Sequence, residues 1–74
     1  MKPTIRDKGL RMYITSKIRK YGEENVAMAS RMTLGINSPR KGFDAQLIII
    51  LNRLNGNHVI SRFRDVTSKN LEKI

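Results

Sequence analysis

The side chains that most readily perform chemistry are scarce in this chain. It holds one histidine, His58, and no cysteine, which removes thiolate nucleophiles, disulfides and cysteine-based zinc sites. His58, Arg62 and Arg64 share one face if residues 58–64 run as a strand. An imidazole beside two guanidinium groups has the parts for acid–base cleavage of RNA, but nothing in the pattern orients the ring. The six carboxylates, Asp7, Glu23, Glu24, Asp44, Asp65 and Glu72, show neither the pairing of a general-acid couple nor the spacing of metal ligands. The glycines at 35, 42 and 56 fit no phosphate-binding loop and no dinucleotide fingerprint. The expectation is therefore no enzyme: no catalytic residue, no metal and no cofactor.

Positive charge is what the chain has in quantity. Fifteen Lys and Arg oppose six Asp and Glu, a net charge of +9 over 74 residues, and a polyanion is the partner that such a balance suits. The charge lies in two blocks. Residues 1–21 hold seven cations against Asp7, and residues 39–64 hold five against Asp44; the segment between is near neutral and rich in Ala and Met. Each Lys or Arg that reaches a phosphate releases condensed counterion, so five to eight such contacts dominate affinity. The candidate nucleic-acid contacts are Arg11, Lys17, Arg19 and Lys20 in the first block and Arg40, Lys41, Arg53, Arg62 and Arg64 in the second. Phe43 and Phe63 stand beside basic residues, the interleaving that a base-stacking binder uses, although burial in the core is the expected fate of most of the four aromatics.

The elements that must position these groups follow from apolar spacing. Leu10, Tyr13, Ile14, Ile18 and Tyr21 recur at three- and four-residue steps and predict an amphipathic helix over 10–21, closed by Gly22. Glu23 and Glu24 suit a helix first turn, and the Ala- and Met-rich stretch to Leu34 continues it, with Gly35 as its cap; a strand with Val26, Met28 and Met32 on one face is the rival reading, and Met28 and Met32 are expected as core filler. GINSPRKG, residues 35–42, reads as a loop with Arg40 and Lys41 at its tip. Residues 46–64 decide the fold. The block Leu47–Leu51 is compact and rich in isoleucine, Asn55-Gly56 is a strong hairpin signal, and Val59, Ser61 and Phe63 alternate with polar neighbours. A β-hairpin is the favoured reading. The rival is a helix from Asp44 to Asn55, with Asp44 as N-cap, Phe43 and Ile48 as a hydrophobic staple and Gly56 just past its end. Residues 68–74 are expected as a loose tail.

Two orders of motifs resemble known families. Helices followed by LIIILNRLNGNHVISRF and a polar tail resemble the layout of the small Cro repressors of phages. A basic helix ending in Ile18-Arg19-Lys20, then Lys41-Gly42-Phe43-Asp44, then His58-Val59-Ile60-Ser61, is similar in order to the bacterial Sm-like RNA chaperones. Thr33 and Ser38 stand where that second fold uses glycines, and Pro39 and Arg40 fall within a central strand, so the chain is assigned to neither.

The expected protein is a single small basic α+β domain over 1–74, with one or two N-terminal helices packed on a C-terminal β-hairpin; the alternative is an all-α, helix-turn-helix-like bundle. Its expected function is nucleic-acid binding, DNA ahead of RNA, as a small transcriptional regulator of viral or mobile-element type. The alternatives are docking on a larger machine such as RNA polymerase or the ribosome, and RNA binding. A homodimer would enlarge the core of so short a chain. The longest apolar run has five residues, against about 20 for a membrane span, and MKPTIRDKG lacks a signal-peptide apolar region. A cytoplasmic or otherwise intracellular site is expected, in the host cell if the protein is viral.

Overall fold

The computed structural model describes residues 5–36 and 43–74, and these residues form four helices and no strand: α1 (Lys8–Tyr21), α2 (Glu23–Leu34), α3 (Ala45–Asn52) and α4 (Asn57–Lys73). The expected α+β fold with a C-terminal hairpin is therefore overturned in favour of the all-α alternative.

Local chemistry sets the helix ends. The Asp7 carboxylate accepts from the Leu10 amide at 2.7 Å and starts α1, and Asp44 accepts from the amides of Gln46 and Leu47 and starts α3. These bonds satisfy first-turn amides that have no carbonyl partner within the helix. Gly22 turns the chain between α1 and α2 at φ 97°, and Gly35 ends α2 in the left-handed region at φ 71°. A side chain at either position would be strained. The Asn25 amide donates to the Tyr21 carbonyl at 2.9 Å, covering one of the orphan acceptors at the end of α1.

The hairpin failed for a physical reason visible in α4. Ile60, Phe63, Thr67 and Leu71 recur at steps of three and four and are all buried. Over residues 58–64 alone, Val59, Ser61 and Phe63 mimic a period of two, with Ile60 as the exception. That exception belongs to the buried stripe of a 17-residue helix. The Leu47–Leu51 block hides its period because every position is apolar; in space Leu47 and Leu51 are buried, Ile48 and Ile50 half-buried and Ile49 exposed. Asn55-Gly56 joins two helices, and Gly56, at φ 85°, stands just before α4. The rival helix was right about its start at Asp44 and too long at its end, which falls at Arg53. The likeness to the Cro layout rested on the hairpin and falls with it. Residues 68–73 complete α4, where Leu71 is buried.

The core joins Ile5, Leu10 and Ile14 to Val26, Ala27 and Ala29 of α2, Leu47 and Leu51 of α3, and Ile60, Phe63 and Leu71 of α4. The small residues of α2 let α4 approach closely, and a polar seam fixes the register between them. The Thr33 hydroxyl donates to the Ala29 carbonyl at 2.8 Å and accepts from Thr67 at 3.0 Å and from the Asn70 amide at 3.1 Å. One donor and two acceptor positions exhaust a hydroxyl, so the buried Thr67 is the donor of its pair. Met28 and Met32, expected in the core, are exposed at 46% and 54%: the buried face of α2 is the one carrying Val26, Ala27 and Ala29.

Candidate nucleic-acid interface

The buried stripe of α1 fixes its opposite face. With Leu10 and Ile14 inward and Tyr13, Lys17, Ile18 and Tyr21 half-buried, the outward positions fall to Arg11, Met12, Thr15, Ser16, Arg19 and Lys20, all exposed. Arg11, Thr15 and Arg19 form one row at steps of four, and Met12, Ser16 and Lys20 form the next. These six residues line a shallow open depression along the helix. α1 carries five cations, the exposed Lys8 included, and no carboxylate. From Lys8 to Lys20 the helix rises about 18 Å.

The cations named from the sequence divide into three groups. Arg11, Arg19 and Lys20 project from the outward face of α1; Arg53 is exposed at the end of α3, and Arg62 is exposed on α4. Lys17 is half-buried: its amino group lies 5.5 Å from the centre of the Tyr13 ring and 5.8 Å from that of Tyr21, while Lys20 reaches the Tyr21 ring at 5.2 Å. Such cation–π contacts hold an ammonium against the protein while leaving one side wet. Arg64 is also half-buried, packed between helices. Its guanidinium lies 6.0 Å from the Tyr13 ring and covers Gly9, where an added Cβ would sit 2.9 Å from Nη2. Arg40 and Lys41 lie outside the described residues.

Tyr13 ties α1 to α4. Its hydroxyl donates to the Arg64 carbonyl at 3.0 Å and shares a 2.6 Å bond with Ser68. Burial raises the phenol above its ordinary 10.0, an effect that the Ser68 hydrogen bond and the Arg64 charge oppose. The clamp sets the outward face of α1 at a fixed angle to α4.

Sequence reasoning missed two cations. Arg6 and Lys8 are exposed, and the Arg6 amide donates to the Asn52 carboxamide, 46 residues away. This places the start of α1 beside the end of α3 and so beside Arg53. No local pattern signals that meeting, because it is made by a tertiary contact.

No protein-family model, curated protein or solved structure matches the chain.

His58 is exposed in the first turn of α4, its ring beside Gly56. Among the described residues no cluster of His, Asp or Glu has the makings of a metal site, and no helix is long and apolar enough to cross a membrane.

Proposed function

We propose that this chain is a small nucleic-acid-binding protein, with duplex DNA as its preferred ligand, that acts as a transcriptional regulator of the kind carried by viruses and mobile elements. The observation that carries this reading is the outward face of α1, where Lys8, Arg11, Arg19 and Lys20 are exposed along one helix without an intervening carboxylate. Ser16 between them offers a hydroxyl to phosphate oxygens, whereas the Thr15 hydroxyl donates to the Arg11 carbonyl at 2.9 Å. Cationic and hydroxyl side chains of this kind make most contacts to a nucleic-acid backbone.

Salt titration of binding to random duplex DNA, duplex RNA and single strands tests it. Four phosphate contacts give a slope of log affinity against log salt near −3.6, so duplex-DNA affinity falls roughly 100-fold between 50 and 200 mM salt. Absence of binding to every nucleic acid at 50 mM salt would sink the reading; preference for RNA would change the ligand within it.

A second reading, docking on a protein of the transcription or translation machinery, is favoured by one observation. Met28 and Met32 stand one turn apart on α2 and are both exposed, and flexible thioethers suit an adaptable protein contact. Capture of one stoichiometric polymerase or ribosomal component that is lost in Met28→Ser/Met32→Ser supports that reading.

A further inference from the structure

The +9 charge and the face of α1 account for affinity but not for sequence selectivity, because phosphate contacts carry no base information. A second surface has the complementary character. α3 and α4 are joined by residues 53–56, and the turn is held at both sides. Half-buried Leu54 shares a groove with Leu34 of α2 and with Val59 and Phe63 of α4, while Gly56 supplies the positive φ that reverses the chain. Two helices joined by a four-residue turn containing glycine are the parts of a helix-turn-helix, in which the N-terminal residues of the second helix enter the major groove.

The outward residues at the start of α4 suit that position. Asn57, His58, Ser61 and Arg62 are all exposed, and together they present carboxamide, imidazole, hydroxyl and guanidinium groups, the types that read base edges in the major groove. The residues that hold α4 in place, Ile60, Phe63 and Thr67, are buried on the opposite side, so the reading face is presented by a rigid scaffold. Arg53 is exposed in the turn, and the hydrogen bond from the Arg6 backbone amide to the Asn52 carboxamide oxygen brings a further exposed cation, Arg6, to the same end of the molecule. Asp65 is exposed one turn further along α4. A carboxylate there repels phosphate and confines the reading segment to residues 57–62.

We infer that the N-terminal half of α4 is a base-reading element for the major groove of duplex DNA, with Asn57, His58, Ser61 and Arg62 as the readers and Arg6 and Arg53 as flanking phosphate contacts. The inference rests on the proposed nucleic-acid function and adds sequence selectivity through a surface separate from the outward face of α1.

The test is selection from a pool of duplex DNA randomised over 20 base pairs, made with the full chain and with a His58→Ala/Ser61→Ala/Arg62→Ala variant whose helical content is checked by circular dichroism. The unaltered chain is expected to enrich a short motif. The variant is expected to bind that motif about 10-fold or more weakly, with less than a ~3-fold change on the unselected pool, since one of the lost groups is a cation. Enrichment of the same motif by the variant overturns the inference and leaves the nucleic-acid reading standing. So does binding of the pool by the unaltered chain without any enriched sequence, or a preference for RNA over duplex DNA. Failure of the unaltered chain to bind any nucleic acid removes both.

Discussion

α1 and α4 are both basic amphipathic helices, and the molecule uses them differently. α1 carries five cations and no carboxylate, and its contribution to the buried core is Leu10 and Ile14. α4 mixes Arg62, Arg64, Lys69 and Lys73 with Asp65 and Glu72, and it supplies Ile60, Phe63, Thr67 and Leu71 to the interior together with the polar seam to α2. One helix is mainly a charged surface laid on the fold; the other is the fold's main support, with chemistry at one end. The contrast persists within α4. Arg62 and Arg64 are two residues apart, yet Arg62 is exposed while Arg64 lies across Gly9 and beside the Tyr13 ring. Equal charge in the sequence is unequal in availability, because a helix places residues two apart on different sides.

The comparison can be broken or sharpened by substitution. The largest stability loss is expected from Phe63→Ala in α4. Removing a buried phenyl ring costs about 3–5 kcal/mol, against a total of about 4–11 kcal/mol for a chain of this size. Urea denaturation should show a chain at or near unfolding, and a loss below ~1 kcal/mol would show that α4 is not the main support.

On α1 the expected signs reverse. Arg11→Ala/Arg19→Ala/Lys20→Ala should leave the denaturation midpoint nearly unchanged, since exposed substitutions fall within about 0.5 kcal/mol each. The same variant should reduce the salt slope of duplex-DNA binding by nearly 3. An unchanged slope would place the interface elsewhere.

Tyr13 tests the clamp between the two helices. Tyr13→Phe loses both hydroxyl bonds and should cost about 1 kcal/mol. The raised phenol pKa favours the neutral ring in the folded state, so its contribution is complete below pH 10 and is lost as pH rises through the higher folded value. In a Tyr21→Phe background, the tyrosinate absorbance of the folded chain should titrate above 10 and return towards 10 in urea; a folded midpoint at or below 10 would contradict the packing.

The smallest effects separate the two arginines. Arg64→Ala removes a side chain packed between α1 and α4 and should destabilise by about 1 kcal/mol. Arg62→Ala should change stability by less than about 0.5 kcal/mol while weakening DNA binding. Equal effects on stability would show that burial does not distinguish them.

Legibility followed the length and cleanness of each apolar stripe. α1 was readable because Leu10, Tyr13, Ile14, Ile18 and Tyr21 stand apart from its charges, and α2 because Glu23, Glu24 and Gly35 mark its ends. α4 was misread because a seven-residue window catches only Ile60 and Phe63 of a stripe that runs on to Leu71. In α2 the stretch ENVAMAS alternates small and large apolar residues, which leaves undecided whether the methionines or the alanines face inward. The structure buries the alanines and turns the methionines outward. Of the candidate interface, the outward residues of α1 were legible from spacing alone. The packing of Lys17 and Arg64, and the meeting of Arg6 with the end of α3, were not.

By itself the sequence determined the net charge of +9, its two blocks, the absence of cysteine chemistry, the candidate N-cap at Asp44 and the glycine stops at 22 and 35. These depend on residue identity or on neighbours within one helical turn. Only the tertiary structure decided that residues 57–73 are helical, that Arg64 is a packing residue and Arg62 a surface one, and that Arg6 meets the end of α3. The reason is that these properties depend on which faces are buried together, and burial is settled by elements distant in sequence.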